Sequence, residues 1–190
     1  MKKVIIDADA ITLKKTLKNG MQAGGLTVLA GRPGMGKSTF AADIAESFDN
    51  AICFDFDSER HFKDFEGFLE KYDEHNDCHF EWNPEKQSCL ILIDYLQQIE
   101  EKLSSFCKKL KRFAELNNVH ILVLSQVSKK ADNRKNHIPK LRDLRKWGRF
   151  DQHADNVLAV IRKSYYSSDA DLITEKDCTH KCVILKSKVR

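Results

Sequence analysis

The sequence predicts an α/β domain with a mostly parallel central sheet flanked by helices. One observation is a series of short apolar runs rich in strand-forming residues, at 26–30, 51–56, 90–93, 120–124, 156–161 and 182–185. Stretches with helical spacing of apolar residues separate several of these runs, and such alternation favours parallel pairing. The run Leu90-Ile91-Leu92-Ile93 is apolar throughout, which is typical of a central strand buried on both faces of a parallel sheet.

The first core strand leads into a glycine-rich loop that carries chemistry. The loop has the spacing Gly-x-x-x-x-Gly-Lys-Ser of the phosphate-binding P-loop, in which glycines let backbone N–H groups approach a polyphosphate closely. Lys37 is suited to reach the β- and γ-phosphates, and Ser38 to ligate Mg²⁺. The apolar positions after it predict a helix whose N-terminus faces the phosphates. The predicted nucleotide-binding residues are Gly31, Arg32, Pro33, Gly34, Met35, Gly36, Lys37, Ser38 and Thr39.

The remaining elements follow from punctuation and periodicity. Residues 1–25 are interpreted as an N-terminal lead-in, and residues 26–190 as one domain. The predicted helices are the P-loop helix to about residue 48, a short helix at 13–17, and longer ones at 60–77 and 99–116. A short strand and loop are expected at 78–88, and a loop followed by a short helix at 127–150.

Three polar side chains fall where predicted strands end. Asp57, Asp94 and Gln126 each follow an apolar run, and parallel strands place such ends at the same edge as the P-loop. Asp94 after four aliphatic residues has the Walker B pattern, in which a strand-end carboxylate holds the Mg²⁺ hydration shell. The sequence therefore predicts Ser38 and Asp94 as the metal-binding pair.

The chain has 190 residues, of which 42% are hydrophobic and 32% charged, with six cysteines. No apolar run approaches the ~20 residues of a membrane span, so we expect a cytoplasmic protein with reduced cysteines and no membrane partner. The net charge of +4 is unevenly distributed. Residues 128–150, here called the basic segment, carry +7 from nine lysines and arginines and two aspartates, whereas residues 55–77 carry −6.

The basic segment suits single-stranded nucleic acid. Cations for phosphates surround Trp147, an aromatic side chain on which a base can stack. The alternative is a solvated basic loop with a tryptophan in the core. The cations are Lys129, Lys130, Arg134, Lys135, Lys140, Arg142, Arg145, Lys146 and Arg149.

Five motifs together resemble the RecA-like motor domain of the DnaB family of replicative hexameric helicases. In the order of that family they are the P-loop, Ile93-Asp94-Tyr95-Leu96-Gln97, Val123-Leu124-Ser125-Gln126-Val127, Asp143-Leu144-Arg145 with Gly148 and Gln152-His153-Ala154-Asp155, and Lys188-Val189-Arg190. They cover residues 20–190. The resemblance implies a RecA-like P-loop NTPase fold with ATP and Mg²⁺ as ligands.

The resemblance also implies a role for each matched residue. Gln126 senses the γ-phosphate and relays its loss to the DNA loops. Arg145, Lys146 and the backbone near Gly148 hold the phosphates of single-stranded DNA. Lys188 and Arg190 reach the ATP of the neighbouring subunit, as arginine fingers do, which implies a homo-oligomer, either a hexameric ring or a filament. Other replication proteins are expected as further partners.

The chain departs from the family pattern at several points. The family carries a catalytic glutamate at the end of the second strand, and the matching position here is Asp57, whose carboxylate is one methylene shorter. Glu59 is the alternative, and the sequence does not choose between them. The segment between the second strand and Walker B is shorter than in the family. The family's N-terminal collar domain and linker helix are expected to be absent, which leaves stable hexamer formation open.

The leading hypothesis is an ATP hydrolase that couples hydrolysis to DNA translocation or unwinding in replication. Water attacks the γ-phosphorus in line, positioned by Asp57 or Glu59. One alternative is an ATP-gated, DNA-associated binding or assembly module with weak hydrolysis and no unwinding. A second alternative is a small-molecule kinase on the same loop, against which the sequence offers no separate acceptor pocket or lid.

Overall fold

A seven-stranded sheet forms the centre of the molecule in the computed structural model, which describes residues 5–7, 21–46, 48, 50–55, 89–94, 103–144, 152–166 and 180–187. The strands are β1 (Ile5–Asp7), β2 (Leu26–Gly31), β3 (Asn50–Asp55), β4 (Cys89–Asp94), β5 (His120–Gln126), β6 (Asn156–Arg162) and β7 (His180–Ser187). The helices are α1 (Lys37–Ala45), α2 (Leu103–Asn117) and α3 (Leu141–Leu144). Two 3-10 turns cover Lys129–Ala131 and Lys163–Tyr166.

The sheet is mostly parallel, as predicted. Its order is β1-β7-β6-β2-β5-β4-β3, and the five strands from β6 to β3 pair in parallel. β7 pairs antiparallel with both β6 and β1. No strand is predicted from the sequence at β1, yet Ile5 lies opposite Val183, so the lead-in contributes an edge strand to this sheet.

The core lies on both faces of the sheet, because β2 occupies a central position and all six of its residues are buried. On one face Leu26 and Val28 pack in a cluster with Phe106 and Leu110 of α2. On the other face Leu29 packs in a second cluster with residues of α1, among them Phe40, Ala41 and Ile44. The alternation fixes the direction of β2, and with it the position at which the P-loop leaves the sheet.

The described helix ends agree with the sequence signals. α2 ends at Asn117, and Asn118 takes a left-handed conformation with φ of 53°, which asparagine tolerates better than most residues. The Val119 N–H donates to the Ala114 carbonyl and closes the turn. Residues 127–144 form the predicted loop and short helix, whereas the predicted helices at 13–17 and 60–77 and the strand at 78–88 lie outside the described residues.

Two further sequence expectations bear on the described part of the chain. Cys107 and Cys182 are buried thiols without a disulfide, and burial raises the pKa of each to about 12. Among the described helices, none has the length and apolar character that crossing a membrane would take.

A buried polar network lies at the N-terminal edge of the sheet. His120 is 1% exposed and donates from Nδ1 to the Gln22 carbonyl at 2.7 Å. Its Nε2 lies 2.9 Å from the Thr27 hydroxyl, which also accepts from the Asn156 amide at 3.3 Å. Burial lowers the pKa of His120 to about 4, against the raising effects of the Gln22 hydrogen bond and the Asp155 charge. The folded protein therefore holds a neutral imidazole here.

We expect the free energy of unfolding to decrease by about 2 kcal/mol between pH 7 and pH 5 because of His120. The unfolded chain takes up a proton near the ordinary histidine pKa of about 6.5, while the folded chain does so only near pH 4. The unfolded state thus binds more protons between these values, and stability is lost as pH falls. Urea unfolding at pH 5, 6 and 7 measures this. The His120→Gln variant is the control, since parallel pH curves for the two proteins would contradict the assignment.

Candidate functional site

The glycines of the P-loop are placed where side chains do not fit. Gly34 and Gly36 both have φ of +76°, a conformation that L side chains rarely adopt. A Cβ at Gly31 would lie 3.1 Å from Lys37 Cγ, and one at Gly34 would lie 3.3 Å from Cε2 of Tyr165. Met35 is fully buried and anchors the loop between these glycines. The loop therefore keeps its backbone, rather than side chains, available to a polyphosphate.

The P-loop runs directly into α1, whose N-cap is Gly36. Within the described residues this cap makes no side-chain hydrogen bond, and the first turn of α1 contains no acidic residue. The first N–H groups of a helix lack intrahelical partners and carry partial positive charge, so an uncapped helix start suits an anion. This is the strand, loop and helix arrangement predicted from the sequence.

Four strand ends meet at the carboxyl edge of the sheet, in the order β2, β5, β4, β3. Gly31 at the end of β2 lies opposite Gln126 at the end of β5. Asp94 at the end of β4 lies opposite Asp55 at the end of β3. The predicted sensor and Walker B residues are thus brought to the edge from which the P-loop emerges, where open α/β sheets bind their ligands.

Ser38 and Asp94 form the contact that defines a metal site. The Ser38 hydroxyl donates to Asp94 Oδ2 at 2.7 Å, although 56 residues separate them in the chain. Mg²⁺ bound with a nucleotide takes one or two protein oxygens and completes its shell with phosphate oxygens and water. In the described ranges no group of three or more His, Cys, Asp or Glu is arranged to hold a metal. A hydroxyl paired with one carboxylate fits Mg²⁺ accompanied by a polyphosphate.

Lys37 is held inside the loop by the loop itself. Its ammonium donates to the Arg32 carbonyl at 3.3 Å. Burial lowers the pKa of Lys37, the Asp94 charge acts to raise it, and the Arg32 charge adds to the lowering. Phosphate oxygens would favour the charged ammonium, so this desolvated lysine is electrostatically suited to a triphosphate.

The side chain of Arg32 points to a different partner from the one predicted. Its Nε donates to Asp132 Oδ2 at 2.8 Å, and its Nη1 donates to the Val127 carbonyl at 3.2 Å. The predicted nucleotide contact of Arg32 is therefore revised to its backbone, because the guanidinium is engaged by the loop after β5. The side chains of Arg32 and Asp132 are 12% and 28% exposed.

The predicted DNA-binding residues divide into two groups in the structure. Lys129, Lys130 and Arg142 are exposed, as are Lys135 and Lys140 of the same segment. Arg134 instead forms a two-pronged ion pair with Asp143, at 2.6 Å from Nη1 to Oδ2 and 2.5 Å from Nη2 to Oδ1. Asp143 is 3% exposed. Arg134 thus has an internal partner, and we leave it out of the DNA contacts proposed below.

Several predicted site residues lie outside the described part of the chain. They are the alternative water-positioning carboxylates Asp57 and Glu59, the DNA-loop residues Arg145, Lys146 and Gly148, and the finger residues Lys188 and Arg190. Their roles stay predictions.

The structure also shows site residues that sequence reasoning missed. Asp132 accepts from the Tyr166 hydroxyl at 3.0 Å, and its carbonyl accepts from His137 Nδ1 at 2.9 Å. The rings of His137 and Tyr166 stack at 3.8 Å with an interplanar angle of 7°. These contacts join segments distant in the chain, so no local spacing signals them.

Known helicases share sequence with this chain. The model of the family described as DnaB-like helicase C terminal domain matches residues 6–61 and 78–189. A probable replicative DNA helicase of Trieres chinensis is 36% identical over 100 residues, which are 47% of this chain and 22% of that protein. The replicative DNA helicase DnaB of Leifsonia xyli subsp. xyli is 33% identical over 102 residues, 46% of this chain and 22% of that protein. The match thus spans about a fifth of these relatives.

Solved structures show the same fold. A protein solved as an isolated ATPase domain superposes with a TM-score of 0.71 at 19% identity, covering 96% of this chain and 84% of that one. A DnaB-like replicative helicase, described together with its interactions with primase, superposes with a TM-score of 0.67 at 20% identity, covering 90% of this chain and 55% of that one. The RecA-like α/β fold and the family-model match lead to one conclusion: the chain belongs to the DnaB-like helicase C terminal domain family and is a P-loop ATPase domain.

Proposed function

We propose that this domain binds ATP-Mg²⁺ and single-stranded DNA and couples ATP hydrolysis to movement along DNA, or its unwinding, in replication. The observation that carries the proposal is the 2.7 Å contact of Ser38 with Asp94, made at the sheet edge where the P-loop emerges. Relatives named as replicative DNA helicases support the DNA substrate and the process.

Each residue of the site has one task in the proposed reaction. The P-loop N–H groups and Lys37 bind the phosphates and stabilise the charge that develops as the γ-phosphoryl group is transferred. Ser38 and Asp94 would hold Mg²⁺, which neutralises phosphate charge when bound. Gln126 lies beside the start of the P-loop and senses the γ-phosphate. Asp57 or Glu59, just beyond β3, positions the attacking water.

The proposed assembly is a homo-oligomer, ring or filament, with ATP sites shared between subunits. Lys188 and Arg190 would supply positive charge to the neighbouring subunit's ATP, which requires the copies to stand in a head-to-tail arrangement. The solved DnaB-like helicase is described with its interactions with primase, so a primase is the proposed partner protein.

The DNA contacts proposed among the described residues are exposed cations of the basic segment. Lys129 and Lys130 lie on one 3-10 turn, and Arg142 lies on α3. Their charges contact phosphates and carry no base sequence information. Arg145, Lys146 and the backbone near Gly148 extend the proposed contact.

We expect the Lys129→Ala, Lys130→Ala double variant to bind an oligo-dT strand more weakly, with a salt slope that is smaller by roughly 1.4, at ~0.7 for each lost single-strand contact. Fluorescence anisotropy at several salt concentrations measures both quantities. The matched control is Lys108→Ala, Lys109→Ala, which removes two neighbouring exposed lysines from α2. Equal weakening in both double variants would show general electrostatics rather than a DNA site on this turn.

The function as a whole is tested by the steady-state ATPase rate, with and without single-stranded DNA, across protein concentration. A rate that rises with both is expected from a DNA-coupled motor with shared active sites. A slow rate indifferent to both would contradict the motor and favour the ATP-gated binding module. Phosphate transfer to a metabolite without DNA stimulation would favour the kinase alternative.

A further inference from the structure

Arg32 joins the P-loop to the basic segment. Its carbonyl accepts from Lys37 Nζ, and its guanidinium donates to Asp132 and to the Val127 carbonyl. One residue therefore touches the phosphate-binding lysine through its backbone and the proposed DNA-binding segment through its side chain.

Asp132 is the point where three parts of the molecule meet. One carboxylate oxygen accepts from Arg32 and the other from the Tyr166 hydroxyl. Its own N–H donates to the Lys129 carbonyl at 3.0 Å, and its carbonyl accepts from His137. Asp132 is thus hydrogen-bonded to the turn that carries Lys129 and Lys130.

These contacts make displacement of the turn hard to separate from displacement of the P-loop. The ion pair of Arg32 and Asp132 is largely shielded from water, with side chains 12% and 28% exposed. Breaking it would leave a poorly solvated guanidinium without its charged partner, which costs more than moving both groups together. The stacked ring of His137 against Tyr166 fixes the far side of Asp132, so a shift of the turn is passed to Arg32.

We infer that Asp132 is a positioning residue that couples binding of single-stranded DNA at the Lys129–Lys130 turn to nucleotide affinity at the P-loop through Arg32. The inference rests on the proposed function, since it requires both ligands to bind. It is additional to the proposed Gln126 relay, which runs along β5. Because linkage is reciprocal, nucleotide must change DNA affinity by the same factor as DNA changes nucleotide affinity.

The test is a thermodynamic cycle on the full chain. The affinity for a non-hydrolysable ATP analogue with Mg²⁺ is measured with and without saturating oligo-dT. The unmodified chain is expected to show a coupling factor of about 5 to 150. Asp132→Asn keeps the shape and removes the charge, and it is expected to lower that factor at least threefold, while analogue affinity without DNA stays within about threefold. Asp132→Glu retains the carboxylate and should recover part of the coupling.

The control is Asn133→Ala, an exposed neighbour in the same loop that should leave coupling unchanged. Tyr166→Phe removes one hydrogen bond to Asp132 and provides a second variant if Asp132→Asn folds poorly. Unchanged coupling in both Asp132→Asn and Tyr166→Phe would overturn the inference. An equal loss of analogue affinity with and without DNA would also overturn it, because that pattern indicates a purely structural role.

Failure of the underlying function gives a different pattern. A chain that binds analogue and DNA without any coupling contradicts the inference alone. A chain that binds neither contradicts the proposed function and the inference together.

Discussion

Replacing Lys37 with alanine is expected to lower the ATPase rate by about 10²–10³-fold, the loss found when one preorganised electrostatic contact to a transition state is removed. The structure supplies the reason. Lys37 is desolvated, and its ammonium is hydrogen-bonded to the Arg32 carbonyl in the loop, so it is already positioned before a nucleotide arrives. Steady-state hydrolysis and affinity for a fluorescent nucleotide, measured on the same variant, separate the chemical step from binding.

Two controls sharpen this result. Lys109→Ala removes an exposed lysine of α2 and should leave hydrolysis unchanged. Lys37→Arg keeps a positive charge that does not titrate. Because burial lowers the pKa of Lys37, kcat/KM should decline on the alkaline side as the free enzyme loses this proton, and Lys37→Arg should flatten that limb. A Lys37→Ala variant that hydrolyses ATP at the unmodified rate would contradict the site assignment.

The parts of the site that sequence predicts well are those written in local patterns. The P-loop spacing requires glycine, lysine and serine within one short stretch, and the structure places that stretch between β2 and α1. The strand ends at Asp94 and Gln126 follow from apolar runs that stop at a polar residue. Parallel pairing then brings them to one edge, so a rule about topology turns separate local signals into a site.

The parts that sequence does not predict depend on partners chosen in three dimensions. β1 is three residues long and finds its partner in β7 at the other end of the chain, so no periodicity can announce it. The pairing of Arg32 with Asp132 spans 100 positions. The sequence predicts a DNA contact for Arg134 because this residue lies among cations. Charge in a sequence does not say which arginine folds back onto a buried carboxylate nine residues on.

Arg134→Ala is expected to lower the free energy of unfolding by about 3–5 kcal/mol, the range for breaking a buried ion pair by removing one partner. Asp143 would remain buried with only the Lys140 N–H, at 2.7 Å, among the donors it has now. Burial alone would raise the pKa of Asp143, but the bonds from Arg134 and Lys140 outweigh it and lower that pKa. The pair therefore stabilises the fold above about pH 4, and its contribution is lost as pH falls through the lowered pKa of Asp143. Urea unfolding at pH 7 and pH 3 measures both effects.

Arg142→Ala is the matched comparison, since it removes an exposed arginine from the same segment. We expect it to change stability by no more than about 0.5 kcal/mol and to reduce the salt slope of oligo-dT binding by roughly 0.7. Arg134→Ala should show the opposite pattern, with a large loss of stability and an unchanged salt slope in the fraction that stays folded. If Arg134→Ala instead lowers the salt slope and leaves stability intact, the ion pair with Asp143 opens when DNA binds. Arg134 would then belong with the DNA contacts, as its position among the cations first indicated. The two arginines, eight residues apart, thus separate the charge that holds the segment in place from the charge that it presents to DNA.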